Sequence, residues 1–314
     1  MTLARCLYCY EQLNEGEKDF HPSCSKKIFD SAIVPELPYS EDQMLELAEQ
    51  VIRSQFAITG AQPKLSLEIE KKIHDQPLRF TIVGLWGNFI LKPPSAHYQS
   101  LPEIEDLTMH LAELSDIKTV PHSLIRLRSG SLAYITRRID RVKKNKIHME
   151  DMCQLTERLT EQKYRGSYEQ IGKAIVTHSQ TPGLDLINFF EQVLFSFLTG
   201  NADMHLKNFS LIDQPGIGYL LSPAYDHVAT ALVVQGDDED LALTLNGKKK
   251  KISRKDFTQS MSHFDLSERS KENIFHRFEQ LLPVWKKMIS ISFLPDDGKT
   301  KYTALLEERW SRIF

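Results

Sequence analysis

The dominant hydrophobic period of this chain of 314 residues differs between its first and second parts, and that difference limits the folds it can adopt. Up to about residue 140, stretches such as 65–69 and 132–139 alternate apolar and polar side chains, as half-buried strands do. A β-rich first part before a helix-rich second part predicts an α+β protein of two lobes with a cleft between them. The candidate helices of the second part are residues 150–161, 168–178, 184–199, 267–289 and 301–313.

Turn and capping signals divide the chain further. Residues 1–39 carry cysteine and histidine and end in a proline-bounded linker. Ser40 then begins a predicted helix, with Gln43 completing a capping box. We therefore expect a Cys/His-bearing N-terminal segment at 1–39, a small β-rich N-lobe at 40–140 and a larger helical C-lobe at 141–314.

Composition excludes several classes of protein. Apolar residues make up 41% of the chain and charged residues 26%, which is enough apolar material for a core and too much for a disordered chain. The net charge of −3 gives no strong field toward nucleic acid or membrane. The first nine residues lack the apolar core of a secretory signal, and polar residues interrupt the most apolar stretch, 184–198. We expect a cytoplasmic protein without a membrane partner.

The polar loop at residues 200–208 is the most informative segment. It follows a strongly apolar predicted helix and precedes a predicted hairpin, and Asp226 follows the second strand of that hairpin. In phosphoryl transfer, an Asp accepts the proton of the acceptor hydroxyl, while an Asn oxygen and a second Asp bind magnesium. The spacing predicts Asp203 as the catalytic residue and Asn208 and Asp226 as magnesium ligands; the alternative is a solvated polar loop. His205 either steadies the loop or contacts a phosphate.

A nucleotide kinase also needs a cation for the phosphates of ATP. Lys92 ends an apolar predicted strand, and Glu105, on the helix predicted at 102–114, is its candidate partner. Residues 58–64 lie between a helix and a strand, and backbone amides around Gly60 are suited to a phosphate. One glycine makes neither a P-loop nor a dinucleotide motif. The candidate ATP-binding residues of this loop are Gly60, Ala61, Gln62 and Lys64.

Three motifs together resemble the HipA family of bacterial serine/threonine kinase toxins from toxin–antitoxin systems. They are TGAQPKLS at 59–66, EDMCQ at 150–154 and DMHLKNFS at 203–210. The resemblance implies a two-lobed, protein-kinase-like fold with ATP and magnesium as cofactors. It also implies that Asp203 is catalytic and that Lys92 contacts the ATP phosphates. The residues that the resemblance places at the adenine are Arg137, Arg138 and Ile139.

The chain further resembles HipT, the short kinase of three-gene HipBST systems, because it begins where the second half of a HipA N-lobe begins. The resemblance implies a small HipS-like protein and a HipB-like helix-turn-helix antitoxin as partners, with DNA contacted only within the antitoxin complex. It implies an aminoacyl-tRNA synthetase as substrate, the tryptophanyl enzyme before the glutamyl enzyme. HipT proteins carry regulatory serines before the loop glycine, but Gln55 and Ala57 stand there. Ser54 is then the first candidate phosphosite and Thr59 the second.

Two pairs of metal-ligating residues stand near the start of the chain. Cys6-x-x-Cys9 and His21-x-x-Cys24 are separated by eleven residues. Four such ligands fit a tetrahedral structural zinc site, and the alternative is a thiol-rich packed knuckle without metal.

Local basic clusters leave a nucleic-acid contact open. Four consecutive lysines occupy residues 248–251, and a smaller cluster lies at 143–146. A solvated loop is the plainer interpretation, and operator DNA or the tRNA of a synthetase substrate is the functional one. The acidic residues at 237–240 would cancel part of this field.

Two other functions stay open on sequence grounds. One is a kinase of a small molecule or lipid on a related fold. The other is a pseudokinase regulator that binds nucleotide without turnover.

Overall fold

The computed structural model describes residues 4–40, 42–44, 46–47, 64–70, 78–83, 86–142, 145–234, 236 and 238–314. Backbone contacts group the chain into two units. The first unit comprises Met1–Asp106, Val120–Ile139 and Ile291–Phe293, and the second comprises Leu107–Thr119, Asp140–Ser290 and Leu294–Phe314.

A five-stranded antiparallel sheet forms the centre of the first unit, in the order β2-β1-β3-β5-β4. Its strands are β1 (Leu65–Glu70), β2 (Arg79–Ile82), β3 (Phe89–Lys92), β4 (His122–Arg126) and β5 (Leu132–Arg137). Phe80 packs edge to face on both Phe29 and Phe89, with ring centroids 5.7 and 5.5 Å apart. These buried rings form the apolar core on one face of the sheet.

The first unit also contains helical segments. Helix α1 (Pro22–Phe29) was not predicted; Pro22 occupies its first turn, where the missing N–H costs nothing. Helix α2 (Leu101–Leu114) matches the prediction within one residue, and from Leu107 onward it belongs to the second unit. There the hydroxyls of Thr108 and Tyr302 are hydrogen-bonded at 2.9 Å. Residues 107–119, assigned to the N-lobe from the sequence, are therefore grouped with the helical unit.

The predicted capping box at Ser40 is confirmed. The backbone N–H of Ser40 donates to the Gln43 side chain at 2.9 Å, and the backbone N–H of Gln43 donates to Ser40 Oγ at 3.3 Å.

The second unit is mostly helical, and its strands are β6 (Arg141–Val142), β7 (Asn145–Lys146), β8 (Met149–Asp151), β9 (Ser210–Gln214) and β10 (Gly218–Leu221). Three of them form a small sheet in the order β10-β9-β8, and β6 pairs with β7. Its helices are α3 (Met152–Leu155), α4 (Tyr168–His178), α5 (Pro182–Leu198), α6 (Arg254–Ser262), α7 (Glu268–Glu279), α8 (Leu282–Ile291) and α9 (Asp296–Trp310). A β-rich unit and a helical unit confirm the predicted α+β class.

Helix α5 is the central helix of the second unit. All of its side chains from Phe189 to Leu198 are buried, including the polar Glu191, Gln192 and Ser196. Phe189 packs edge to face on Phe209, with ring centroids 5.2 Å apart, and Phe195 packs on Trp285 at 5.5 Å. This packing fixes the C-terminal end of α5, from which the polar loop emerges.

Three helix predictions for this unit were wrong in detail. Residues 150–161 form the end of β8, the short helix α3 and a 3₁₀ turn at Thr160–Gln162, because Met149 to Asp151 pair with β9. The helix predicted at 267–289 is two helices, α7 and α8, since Pro283 cannot extend a helix that comes before it. Helix α6 was missed, and α9 begins at Asp296, before the predicted start at 301.

Among the helices that the structure describes, none combines the length and the apolar character needed to cross a lipid bilayer.

Candidate active site

The polar loop begins with a sharp turn at Gly200, directly after α5. Gly200 has a φ of +67°, and a Cβ there would lie 2.7 Å from Leu305 Cδ2 and 3.0 Å from Ala231 Cβ. The left-handed conformation favours glycine, and a larger residue would also have to displace the end of the Leu305 side chain. Its carbonyl accepts a hydrogen bond from the backbone N–H of Ala231 at 3.0 Å, which holds the start of the loop.

Hydrogen bonds within the loop fix the backbone around Asp203. The backbone N–H of Asp203 donates to Asn201 Oδ1 at 3.1 Å, and the backbone N–H of Ala202 donates to Thr230 Oγ1 at 2.8 Å. Asn208 Nδ2 donates to the carbonyl of Asp203 at 2.9 Å. The amide nitrogen of Asn208 is thereby engaged, and its Oδ1 is the atom suited to a cation.

The EDMCQ motif at residues 150–154 supports the loop from outside. Asp151 caps helix α3 by accepting the backbone N–H of Gln154 at 3.0 Å, and its other carboxylate oxygen lies 2.6 Å from Lys207 Nζ. Tyr225 donates to the Lys207 carbonyl at 3.1 Å. Burial raises the pKa of the Tyr225 hydroxyl, so this donor keeps its proton at neutral pH. Asp151 of the motif thus holds the side chain of Lys207, and Tyr225 holds its backbone carbonyl.

Tyr164 contacts the Asp203 carboxylate directly, a contact that no sequence pattern indicated. Its hydroxyl donates to Asp203 Oδ1, and its ring packs edge to face on His205, with centroids 5.0 Å apart. Asp203 Oδ2 accepts no hydrogen bond from the described part of the chain. Tyr164 thus holds one carboxylate oxygen in place, and the second is available for proton transfer.

The charges of Asp203 and Asp226 both act on His205. Burial lowers the pKa of His205 to about 4, against the opposing effect of the two carboxylates. The imidazole is therefore neutral at pH 7. The structure thus brings together Asp203, His205 and Asp226, with Asn208 bonded to the Asp203 carbonyl.

Asp226 lies beyond the end of β10 in a left-handed backbone conformation. Its φ is +57°, an uncommon value for a residue with a side chain, which clusters at functional sites. The next residue, His227, is fully buried, and burial lowers its pKa to about 4. The hairpin of β9 and β10 was predicted, and Asp226 follows the end of its second strand in the chain.

Lys92 and Glu105 form an ion pair in the first unit. Both side chains are buried, with 4% and 1% of their surface exposed, and Lys92 Nζ lies 5.4 Å from the centroid of the Tyr134 ring. The pairing that the sequence suggested between the strand-end lysine and the helix acid is present. A buried lysine held by a carboxylate is a fixed cation suited to a phosphate.

Some of the other predicted ATP-binding residues are described by the structure, and the rest lie outside the described residues. Arg137 pairs with Asp30 through its guanidinium, and the backbone N–H of Arg138 donates to the Asn88 carbonyl at 2.8 Å. Ile139 is half-buried, and Lys64 is exposed directly before β1. The positions outside the described residues are Gly60, Ala61, Gln62 and the two candidate phosphosites Ser54 and Thr59.

The lysine run at residues 248–251 is paired with acidic side chains. Lys248 Nζ lies 2.7 Å from Asp256, Lys249 Nζ lies 3.0 Å from Glu239, and Lys250 pairs with Asp238. These pairs compensate much of the local positive charge and weaken the case for nucleic-acid contact here. In the smaller cluster, residues 143 and 144 lie outside the described residues.

Because two histidines are buried, we expect the free energy of unfolding to fall in mild acid. His205 and His227 have folded-state pKa values of about 4 against an ordinary value of 6.5, so the unfolded chain binds more protons between these limits. Stability is full above pH 6.5 and is lost as the pH falls toward 4, by about 3 kcal/mol per histidine. Urea denaturation at pH 7 and pH 4.5 measures the loss.

Matched variants separate this effect from that of the carboxylates. His227→Gln should lose about 2 kcal/mol less than the wild type between the two pH values. The same change at the exposed His97 is the control and should leave the loss unchanged. Equal losses in all three proteins would show that His227 does not titrate as described.

Comparison with known proteins assigns the chain to a family. The family model described as the HipA-like C-terminal domain matches residues 56–285. "Putative kinase Y4dM" of Sinorhizobium fredii is 30% identical over 249 residues, covering 74% of this chain and 59% of that protein. A protein of Haemophilus influenzae named "Putative kinase" is 29% identical over 209 residues, covering 63% of this chain and 59% of that protein. The chain thus spans 59% of the length of each of these relatives.

Solved structures share the fold. HipA of the Shewanella oneidensis MR-1 toxin–antitoxin system, solved with HipB and its operator DNA, aligns with a TM-score of 0.67 at 20% identity. The alignment covers 85% of this chain and 70% of that one. The Helicobacter pylori proinflammatory kinase CtkA aligns with a TM-score of 0.53 at 14% identity, covering 72% of this chain and 87% of that one. The two-unit α+β architecture is thus the HipA kinase-like fold, and the chain belongs to the HipA-like C-terminal domain family.

Proposed function

We propose that the protein is an ATP- and magnesium-dependent serine/threonine protein kinase and the toxin of a toxin–antitoxin system. The observation that carries the proposal is the loop at residues 203–208, in which Tyr164 holds Asp203 and the Asp203 carbonyl holds Asn208. Family membership supports phosphotransfer in general, and the two curated relatives are named as kinases.

In the proposed reaction, Asp203 is the general base. Its Oδ2 accepts the proton of the acceptor hydroxyl, while the hydrogen bond from Tyr164 to Oδ1 keeps the carboxylate oriented. Neutral His205 does not compete as a cation for the carboxylate. Proton transfer by a positioned group of this kind typically contributes a factor of about 10² to 10⁴ in rate.

The donor set at the loop fits magnesium. Asn208 Oδ1 and the Asp226 carboxylate are hard oxygen ligands, the class that magnesium prefers. Magnesium, when bound, would neutralise negative charge on the ATP phosphates. In the first unit, we assign Lys92 to the phosphates of ATP, with Glu105 holding the lysine in place.

The proposed substrate is an aminoacyl-tRNA synthetase, with the tryptophanyl enzyme favoured over the glutamyl enzyme. This assignment rests on the resemblance to HipT, as do the proposed HipS-like and HipB-like partners. The structure of a HipA protein with HipB and operator DNA supports an antitoxin partner of that kind. Ser54 stays a predicted autophosphorylation site.

Purified synthetases test the substrate assignment. The full chain, incubated with ATP and magnesium, should phosphorylate the host tryptophanyl-tRNA synthetase on serine and lower its aminoacylation rate. Peptide mass spectrometry maps the phosphate, and the glutamyl enzyme and an unrelated synthetase serve as comparisons. Phosphate on the glutamyl enzyme alone would overturn the preference, and phosphate on none of the three synthetases would overturn the substrate class.

A further inference from the structure

The cysteine and histidine pairs near the start of the chain converge on one point. The sulfur atoms of Cys6, Cys9 and Cys24 and the Nδ1 atom of His21 all lie within 4.8 Å of one another. Cys6 and Cys24 are buried, and Cys9 and His21 are half-buried. The cluster belongs wholly to the first unit and lies outside the groups assigned to phosphotransfer.

The distances match the edges of a tetrahedral metal site. His21 Nδ1 lies 3.4 Å from Cys9 Sγ and 3.7 Å from Cys24 Sγ. A zinc ion with sulfur ligands at about 2.3 Å and a nitrogen ligand at about 2.0–2.1 Å separates the sulfur from the nitrogen by about 3.6 Å. The side chains therefore already stand at the separation that a shared zinc ion imposes.

A hydrogen bond at Nε2, the other ring nitrogen, sets the tautomer of His21. Nε2 lies 2.9 Å from the backbone carbonyl of Gln12, and a carbonyl can only accept, so Nε2 carries the proton. Nδ1 then presents its lone pair toward the three sulfur atoms. Metal-ligating histidines are usually oriented in this way, by a carbonyl or carboxylate on the nitrogen that does not bind the metal.

The four candidate ligands lie on two short backbone segments. The first is a tight turn, in which the N–H of Tyr10 donates to the Cys6 carbonyl at 3.0 Å and Tyr10 adopts a φ of +63°. The second is the start of helix α1, where His21 is the N-cap and Cys24 lies in the first turn. Two pairs of Cys and His ligands, each on its own short piece of backbone, are typical of small structural zinc sites.

We propose that Cys6, Cys9, His21 and Cys24 bind one structural zinc ion. Four protein ligands leave no open position for a substrate, so the site is structural. The turn that it would stabilise contacts β4: the Leu7 carbonyl accepts Ser123 Oγ at 3.1 Å and the backbone N–H of Leu124 at 3.4 Å. The zinc ion would therefore fix the N-terminal segment against an edge strand of the sheet.

Metal analysis of the full chain tests the proposal. The protein is purified under reducing conditions without chelator, incubated with zinc and desalted. Elemental mass spectrometry should then find one zinc ion per chain. Cys6→Ser and Cys24→Ser should lose most of it. His21→Cys should keep it, because a thiolate replaces one zinc ligand with another. Cys153→Ser is the matched control, since Cys153 is a buried free cysteine outside the cluster, and it should keep a full zinc ion.

Two further readouts keep the test valid where a variant misfolds. Cobalt in place of zinc should give wild type the intense visible absorption of a tetrahedral thiolate site. A mercurial reagent that blocks thiols should release the zinc of wild type and lower its Tm, because metal binding is coupled to folding. Folded, reduced wild type that holds no zinc would overturn the proposal. Loss of zinc from the Cys153→Ser variant would also overturn it. Full zinc retention by folded Cys6→Ser and Cys24→Ser variants would overturn it as well.

Discussion

Asp203→Asn is expected to lower phosphotransfer by at least about 100-fold while leaving nucleotide binding within a few-fold of wild type. The amide cannot accept the proton of the acceptor hydroxyl, yet it keeps the size of the carboxylate. Its oxygen can still accept the hydrogen bond from Tyr164, so the loop should keep its structure. Transfer of labelled phosphate measures the first quantity, and a nucleotide-dependent shift in Tm measures the second.

A matched substitution outside the loop is the control. Asp213→Asn makes the same chemical change in strand β9 and should leave phosphotransfer unchanged. In cells, Asp203→Asn should also relieve any growth arrest caused by the wild type. Phosphotransfer by the Asp203 variant at the wild-type rate would overturn the assignment of the general base.

Lys92→Met is expected to have two large effects. It removes the cation assigned to the ATP phosphates, so nucleotide affinity should fall sharply. It also leaves the buried Glu105 carboxylate without its lysine, which should lower the free energy of unfolding by about 3 kcal/mol or more. Urea denaturation measures stability, and the nucleotide-dependent shift in Tm measures binding.

A double variant separates the two effects. Lys92→Met combined with Glu105→Leu replaces the whole buried pair by apolar groups, a change that often costs little stability. This protein should regain most of the stability lost by the single variant but none of its nucleotide binding. If it binds ATP as the wild type does, Lys92 is not the phosphate contact. If Lys92→Met is as stable as the wild type, the ion pair does not have the structural role described.

The local patterns of the chain predicted the elements that carry the chemistry. The apolar run of α5 and the turn residues between β9 and β10 are short-range signals, so the loop and hairpin could be located from them. The Lys92–Glu105 pair was also predicted, because a kinase needs a strand-end lysine with a helix acid as its partner, and both have short-range signals.

The errors arose where long-range contacts decide the structure. Met149 to Asp151 form a strand because β9 pairs with them from about 60 residues away, and no helical period reveals that partner. The contact of Tyr164 with Asp203 joins residues 39 positions apart and depends on the path of the intervening chain. The convergence of the two Cys/His pairs was suggested by spacing, but the orientation of His21 by Gln12 follows only from the fold.

Transfer of the γ-phosphate from labelled ATP tests the central claim most directly. The full chain is added to a lysate of its host with magnesium, with chelator, or as the Asp203→Asn variant, and the protein and small-molecule fractions are counted separately. We predict a labelled protein of the size of an aminoacyl-tRNA synthetase with magnesium and wild type, and no such label in the other two reactions. Label confined to small molecules, or nucleotide binding without transfer to any protein, would contradict a protein kinase.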